Sequence, residues 1–230
     1  MAFLTVVGRS RAPGPRTLDW FPFVGAAMGL TLGGFWWAVG RGFPPLVAAA
    51  LVVGADLAVT GMLHLDGVVD AADGLLPPLD PARRLEVMAA PDAGAFGVGA
   101  AAILLILRWA ALTAIRPGIL LLGGLWCLSR TFAAAVARTQ PYARPGGGLP
   151  DAFAGPARWA VTVAGLAGGA ALVAGWKVGP GLAAAGSGLV AGAGVVALAR
   201  RRIGGYTGDV LGAGVFVAET MGLVVAAARW

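Results

Sequence analysis

Seven stretches of about 20 mostly apolar residues constrain this chain more than any other feature. They run over residues 20–40, 44–63, 94–115, 118–137, 157–176, 180–199 and 209–228. A helix needs about 20 such residues to cross the hydrocarbon core of a bilayer. Charge agrees with that reading. Only 12% of the 230 residues are charged and 58% are hydrophobic, whereas a soluble domain carries about 25% charged residues. So little charge cannot cover a water-facing surface. The expected fold is all-α, a polytopic membrane helix bundle of about seven transmembrane helices in one integral domain over residues 1–230.

The 38 glycines fit such a bundle, because small residues let helix backbones approach closely where no hydrophobic force drives them together. Between Gly179 and Gly194 the Gly/Ala spacing fits either a tight interface or a weak helix. Pro22 in the first turn of the first stretch, followed by small residues, reads as packing.

Basic residues orient the bundle. If the N-terminus is cytoplasmic, one side collects eleven cations: Arg9, Arg11, Arg16, Arg83, Arg84, Arg138, Arg144, Arg158, Arg200, Arg201 and Arg202. The other side collects five: Arg41, Arg108, Arg116, Lys177 and Arg229. Cytoplasmic loops carry the Lys/Arg excess, so the expected topology has the N-terminus inside. The location is the cell inner membrane, multi-pass. The first 19 residues hold three Arg and a short apolar run, Phe3 to Val7, so no cleavable signal peptide is expected. The net charge of +6 sits at helix ends and is no nucleic-acid signature. The single cysteine, Cys127, excludes an intrachain disulfide and a cysteine metal cluster.

Function concentrates on the inner side. Its loops, near 64–93, 138–158 and 200–209, are long, and long loops with Gly, Pro and charge tend to be functional. Six of the eleven acidic residues lie between Asp66 and Asp92. Asp66, Asp70 and Asp73 stand at i, i+4 and i+7, which on a helix puts three carboxylates on one face. Such repelling charges fit a cation between them, and hard oxygen ligands suit Mg²⁺ with substrate phosphates. A solvated acidic helix end is the plainer alternative. His64, the only histidine, adjoins the segment as an acid, a base or a phosphate donor, or as a cap on the preceding helix. Asp92 is a fourth ligand, a base or a helix N-cap.

Three further groups complete the set. Arg138, Tyr142 and Arg144 precede a glycine run at 146–148 and suit phosphate binding. Arg130 lies within an apolar helix and needs a partner there, either a substrate phosphate or an Asp. Thr207 and Asp209 open the last stretch after Gly204 and Gly205, at a helix N-terminus fit for an anion, a cation or a cap. Glu219 and Asp56 lie within apolar stretches and each needs a partner.

Phe21-Pro22-Phe23-Val24-Gly25, His64-Leu65-Asp66-Gly67-Val68-Val69-Asp70-Ala71-Ala72-Asp73-Gly74, Gly94-Ala95-Phe96-Gly97-Val98, Tyr142-Ala143-Arg144 and Gly205-Tyr206-Thr207-Gly208-Asp209 occur in this order. Together they resemble the cobalamin synthase family, the adenosylcobinamide-GDP ribazoletransferases, over nearly the whole chain. The resemblance implies a Mg²⁺-dependent membrane transferase that joins adenosylcobinamide-GDP to α-ribazole or its 5′-phosphate. The products are adenosylcobalamin or its 5′-phosphate, and GMP. It implies metal on Asp66, Asp70 and Asp73, proton transfer by His64 or Asp92, and substrate binding by Arg130, Tyr142, Arg144, Thr207 and Asp209. The attacking atom expected on this reading is the 5′-oxygen of ribazole. Many members carry Lys-Asp after the methionine matching Met88. Here Ala89 and Ala90 stand there, and Asp92 is the nearest carboxylate.

Two other classes compete. The Asp spacing is similar to that of CDP-alcohol phosphotransferases, but their Ala-Arg pair is missing. A cation-coupled transporter would use Asp56 and Glu219, yet most carboxylates cluster at one surface and no repeat is visible. The expected partners are the two substrates and the lipid bilayer, without nucleic acid. A homo-oligomer or a complex with other corrinoid enzymes stays open.

Overall fold

The computed structural model describes residue 5, residues 14–144, residue 153 and residues 158–230. The glycine run at 146–148, together with Arg9 and Arg11, lies outside the described residues. Nine helices are seen among those described. They are α1 (Phe21–Val39), α2 (Pro45–Thr60), α3 (Leu63–Leu75), α4 (Pro81–Val87), α5 (Ala95–Ala114), α6 (Ile119–Thr139), α7 (Trp159–Trp176), α8 (Val178–Ile203) and α9 (Gly208–Ala226). Helices suit hydrocarbon because each satisfies its own backbone polar groups. Large apolar side chains such as Ile103, Ile106, Val163 and Val190 face outward, as a bilayer solvent allows.

Six helices are long and apolar enough to cross a membrane: α1, α5, α6, α7, α8 and α9. The seventh expected span is not like the others. α2 has 16 residues and is bent by 87° from α3. The break has a local cause. Gly61 and Met62 both adopt the left-handed conformation, at φ 58° and 61°, and the Met62 N–H donates back to Leu57 O at 2.9 Å. This backbone cap ends α2 without any help from His64. Counted as one broken span, α2 and α3 bring the crossings to seven.

Small residues set the antiparallel pairings. Methyl groups on Gly25, Gly29 and Gly33 of α1 would strike the backbone of Trp126, Leu122 and Ile119 of α6 in turn. Gly188 and Gly192 of α8 meet the backbone of Ala218 and Gly214 of α9 in the same way. The expected Gly/Ala interface therefore exists, and α8 is continuous through it. Gly179, Gly186 and Gly194 point to open space on the other side.

The region 64–93, expected as a loop, holds two helices instead. α3 lies across one end of the bundle. Gly67 packs on the backbone of Asp209 and Gly212 at the start of α9, and Asp73 reaches Gly94 and Gly97 at the start of α5. At its C-terminus, Arg84 Nη1 donates to Gly74 O at 2.8 Å and Leu75 O at 2.9 Å. Arg202, at the end of α8, donates to Leu76 O at 3.2 Å. Two cations thus complement the negative end of the α3 dipole.

Arg108 corrects the charge count. It was assigned to an outer loop, but it is buried within α5. Its removal leaves four cations on that side, so the bias toward the other end is stronger than the sequence suggested.

Candidate active site

The geometry sorts the three aspartates of α3 into two roles. Asp73 is buried and reaches the start of α5. Its Oδ2 accepts the Gly94 N–H at 2.7 Å and its Oδ1 accepts the Gly97 N–H at 2.8 Å. It therefore caps α5 from another helix, where an anion also favours the positive helix end. Gly94 and Gly97 leave room for the carboxylate, since a methyl on Gly94 would stand 2.5 Å from Asp73 Oδ1. Asp92, a candidate for that cap, does not supply it. It is exposed and makes no hydrogen bond or ion pair among the described residues. Gly97→Ala is expected to lower the melting temperature in detergent, because the methyl displaces the Asp73 carboxylate from both N–H groups. Two charge-assisted bonds of about 1.5–3 kcal/mol each are at stake.

Asp66 is exposed and Asp70 half-buried. Burial first, then the carboxylates of Asp66 and Asp209, push the Asp70 carboxyl up to about 6, against the pull of Arg144. Among the described residues, no group of three His, Cys, Asp or Glu side chains is close enough to hold a metal. Of the three expected aspartates, Asp73 is thus engaged by the start of α5, while Asp66 and Asp70 make no side-chain hydrogen bond or ion pair among the described residues. Two carboxylates still fit Mg²⁺, which takes one or two and fills the rest with water and phosphate oxygens.

Four of the expected residues share one cavity of about 250 Å³. His64 and Asp66 come from α3, Arg130 from α6 and Asp209 from α9, beside apolar walls that include Phe21 and Leu211. His64 is buried, and burial first, then the positive charges of Arg130 and Arg108, hold its pKa well below the usual range.

Arg130 belongs to a buried network that the sequence showed only in part. Its Nη1 pairs with Glu219 and donates to Ser129 Oγ at 2.9 Å. Ser129 Oγ in turn donates to Glu219 Oε1 at 2.8 Å. Arg108 Nη2 donates to the other Glu219 oxygen at 3.0 Å and Nη1 to Asp56 Oδ2 at 2.5 Å. Trp126 Nε1 donates to Asp56 Oδ1 at 3.1 Å. The Arg108 guanidinium also lies 3.8 Å from the Phe216 ring centroid. Two acids and two arginines balance, so Asp56 and Glu219 both have their partners. The carboxylates that would serve a cation carrier are already ion-paired.

The rim of the cavity is a second assembly. Thr207 Oγ1 accepts from Val210 N at 3.3 Å and caps α9, while donating to Asp209 Oδ2 at 3.2 Å. Arg144 Nη2 donates to the same Asp209 oxygen at 2.9 Å and to Met88 O at 3.3 Å. It ties the loop after α4 to the start of α9. Tyr142 is held differently from expectation. A two-bond bridge joins residues 141–143 to Tyr206, with Ala143 N donating to Tyr206 O and Tyr206 N to Pro141 O, both at 2.9 Å. The Tyr142 and Tyr206 rings pack edge to face at 5.3 Å. Gly205 permits this, since a methyl there would strike Pro141 O. Tyr142 thus positions Arg144 and does not line the cavity. Arg108, which pairs with the acids beside Arg130, and Tyr206, which holds the rim, were not singled out from the sequence. Arg108 interrupts an apolar run as Arg130 does, so the same signal could have found it.

The sequence matches the cobalamin-5-phosphate synthase family over residues 1–227. An adenosylcobinamide-GDP ribazoletransferase of Pseudomonas paraeruginosa is 39% identical over 214 residues, 90% of this chain and 84% of that protein. One from Chlorobaculum tepidum is 35% identical over 222 residues, covering 91% and 85% of the two chains. One from Brucella ovis is 37% identical over 227 residues, covering 92% and 86%. No solved structure matches the chain. With its sequence matched almost end to end, this chain belongs to the cobalamin-5-phosphate synthase family.

Proposed function

We propose that the chain joins adenosylcobinamide-GDP to α-ribazole or its 5′-phosphate, giving adenosylcobalamin or its 5′-phosphate and GMP. The observation that carries this is the single cavity in which His64, Asp66, Arg130 and Asp209 meet, in a chain of this family. The N-terminus is cytoplasmic on this reading, in the cell inner membrane. What supports it is the crowding of Arg138, Arg144, Arg158 and Arg200 to Arg202 at the end where the cavity lies.

The family's name refines the chemistry. A product that keeps a 5-phosphate needs an acceptor whose 5′-oxygen is already esterified. The attacking atom is then a ring hydroxyl of the ribose, not the 5′-oxygen. That oxygen forms a bond to the phosphorus attached to cobinamide, the bond from this phosphorus to the bridging oxygen breaks, and GMP leaves with the electron pair. The hydroxyl proton must be accepted nearby. His64 lines the cavity, whereas Asp92 does not line it, so His64 is the proton acceptor of choice. Asp66 and Asp70 would hold Mg²⁺, which supplies charge neutralisation to the pyrophosphate and the leaving GMP. Arg144, whose Nε is buried without an acceptor, is placed at the rim to hold a donor phosphate.

The test is GMP release by the purified chain given both substrates, with and without Mg²⁺. Release that requires both substrates supports the reading, and its absence removes it. The Asp70 carboxyl adds a pH dependence. Mg²⁺ needs the ionised group, and protons compete below about pH 6. The Mg²⁺ concentration for half-maximal rate is therefore expected to be about tenfold higher at pH 5 than at pH 7.

A further inference from the structure

Arg130 has a demand that the protein does not meet. Its side chain is buried and Nη1 is occupied, yet Nε and Nη2 have no acceptor. A buried N–H without a partner is costly, and in native proteins such groups mark a ligand or an ordered water. Arg130 also stands in the wall of the cavity, so a ligand that fills that space can supply the missing acceptor.

Three features describe the occupant. The walls are mostly apolar, with Phe21, Leu63, Ala133, Leu211 and Val215 among them. The Asp56–Arg108–Glu219–Arg130 network pairs two acids with two arginines, so Arg130 offers oriented donors without a surplus of charge. The space, about 250 Å³, is too small for a corrinoid. A pyrophosphate with a bulky group on each side cannot end in it. An uncharged, flat, aromatic base with a ring-nitrogen acceptor fits all three.

We infer that this cavity is the base subsite for the acceptor nucleoside. Phe21, Ala133 and Val215 contact the benzimidazole, and Arg130 donates to the base nitrogen or a ribose oxygen through Nε and Nη2. This rests on the transferase reading above and deepens it. The gradient of exposure agrees. Arg130 is fully buried, whereas Asp66 is exposed and Asp209 half-buried in the same lining. A base seated against Arg130 leaves its ribose hydroxyls toward the two carboxylates, where the donor phosphates arrive. The cavity then selects the base, favouring an apolar bicyclic ring over a polar purine.

Two measurements test this. The first uses the wild-type protein with free 5,6-dimethylbenzimidazole as probe. Binding should shift the probe's fluorescence toward that of an apolar solvent. The probe should inhibit GMP release competitively against α-ribazole and not against adenosylcobinamide-GDP. The second is Ala133→Leu, which narrows the cavity. It is expected to raise KM for α-ribazole about tenfold with KM for the donor unchanged. Val215→Ala, which widens it, should improve the relative kcat/KM of larger bases even if Ala133→Leu fails to fold. Competition by the probe against the donor, or a wall variant that moves only the donor's KM, overturns the assignment. If no acceptor supports GMP release, the transferase reading fails instead, and probe binding still reports on the cavity.

Discussion

Asp70→Asn is expected to cut GMP release about a hundredfold or more at saturating Mg²⁺, without loss of the folded bundle. Asn keeps the shape of the side chain and one oxygen but removes the charge that a divalent cation needs. A hundredfold corresponds to about 2.7 kcal/mol of transition-state stabilisation, a modest share of what a metal contributes. Folding should survive because Asp70 is half-buried and makes no hydrogen bond among the described residues. Its carboxyl is also crowded by Asp66 and Asp209, so loss of charge relieves repulsion. Asp73→Asn is the informative contrast. Asp73 serves two backbone N–H groups of α5, so its substitution should lower the melting temperature. Equal turnover losses for the two variants, with equal stability, would contradict this division of roles.

Arg108→Leu is expected to cost about 3–5 kcal/mol of stability, enough to leave little folded protein in detergent. Removing one member of a buried ion pair strands the partner's charge, and Arg108 serves two acids at once. Asp56 would keep only the Trp126 N–H. The double variant Arg108→Leu, Asp56→Leu should recover much of the loss, because it removes a charge from each side and leaves Glu219 with Arg130. Thermal melts of wild type, Arg108→Leu, Asp56→Leu and the double variant in one detergent read this directly. Additive losses would mean that Arg108 and Asp56 do not act as a pair.

Much of the bundle was legible because bilayer crossing imposes length and apolarity on each segment. The stretches at 94–115 and 118–137 became α5 and α6 with ends shifted by two residues at most. The bend at Gly61-Met62 was not legible. A left-handed methionine has no strong sequence signal, and the apolar run continues through it. For the same reason α3 was placed in a loop, although its Asp spacing was read as helical. The site was legible where function places costly groups in apolar surroundings, as at Arg130 and His64. The partners of Asp73 were not legible, because helical spacing shows which face a residue shares and not which neighbour it meets. Only the packing of α5 against α3 reveals that Gly94 and Gly97 present free N–H groups there. The pairing of Tyr142 was not legible on similar grounds, since its contact with Tyr206 joins parts of the chain 64 residues apart.

On the proposed function, the cavity end of the bundle transfers a phosphoryl-linked corrinoid using the carboxylates of α3. The most direct measurement follows GMP and corrinoid product together, from purified protein supplied with adenosylcobinamide-GDP and α-ribazole 5′-phosphate, while Mg²⁺ is varied. The expected result is one GMP per cobalamin 5′-phosphate formed, a strict need for Mg²⁺, and near-complete loss in Asp70→Asn. Product formation that is indifferent to Mg²⁺ and to Asp70, or no product from folded wild-type protein, would contradict it.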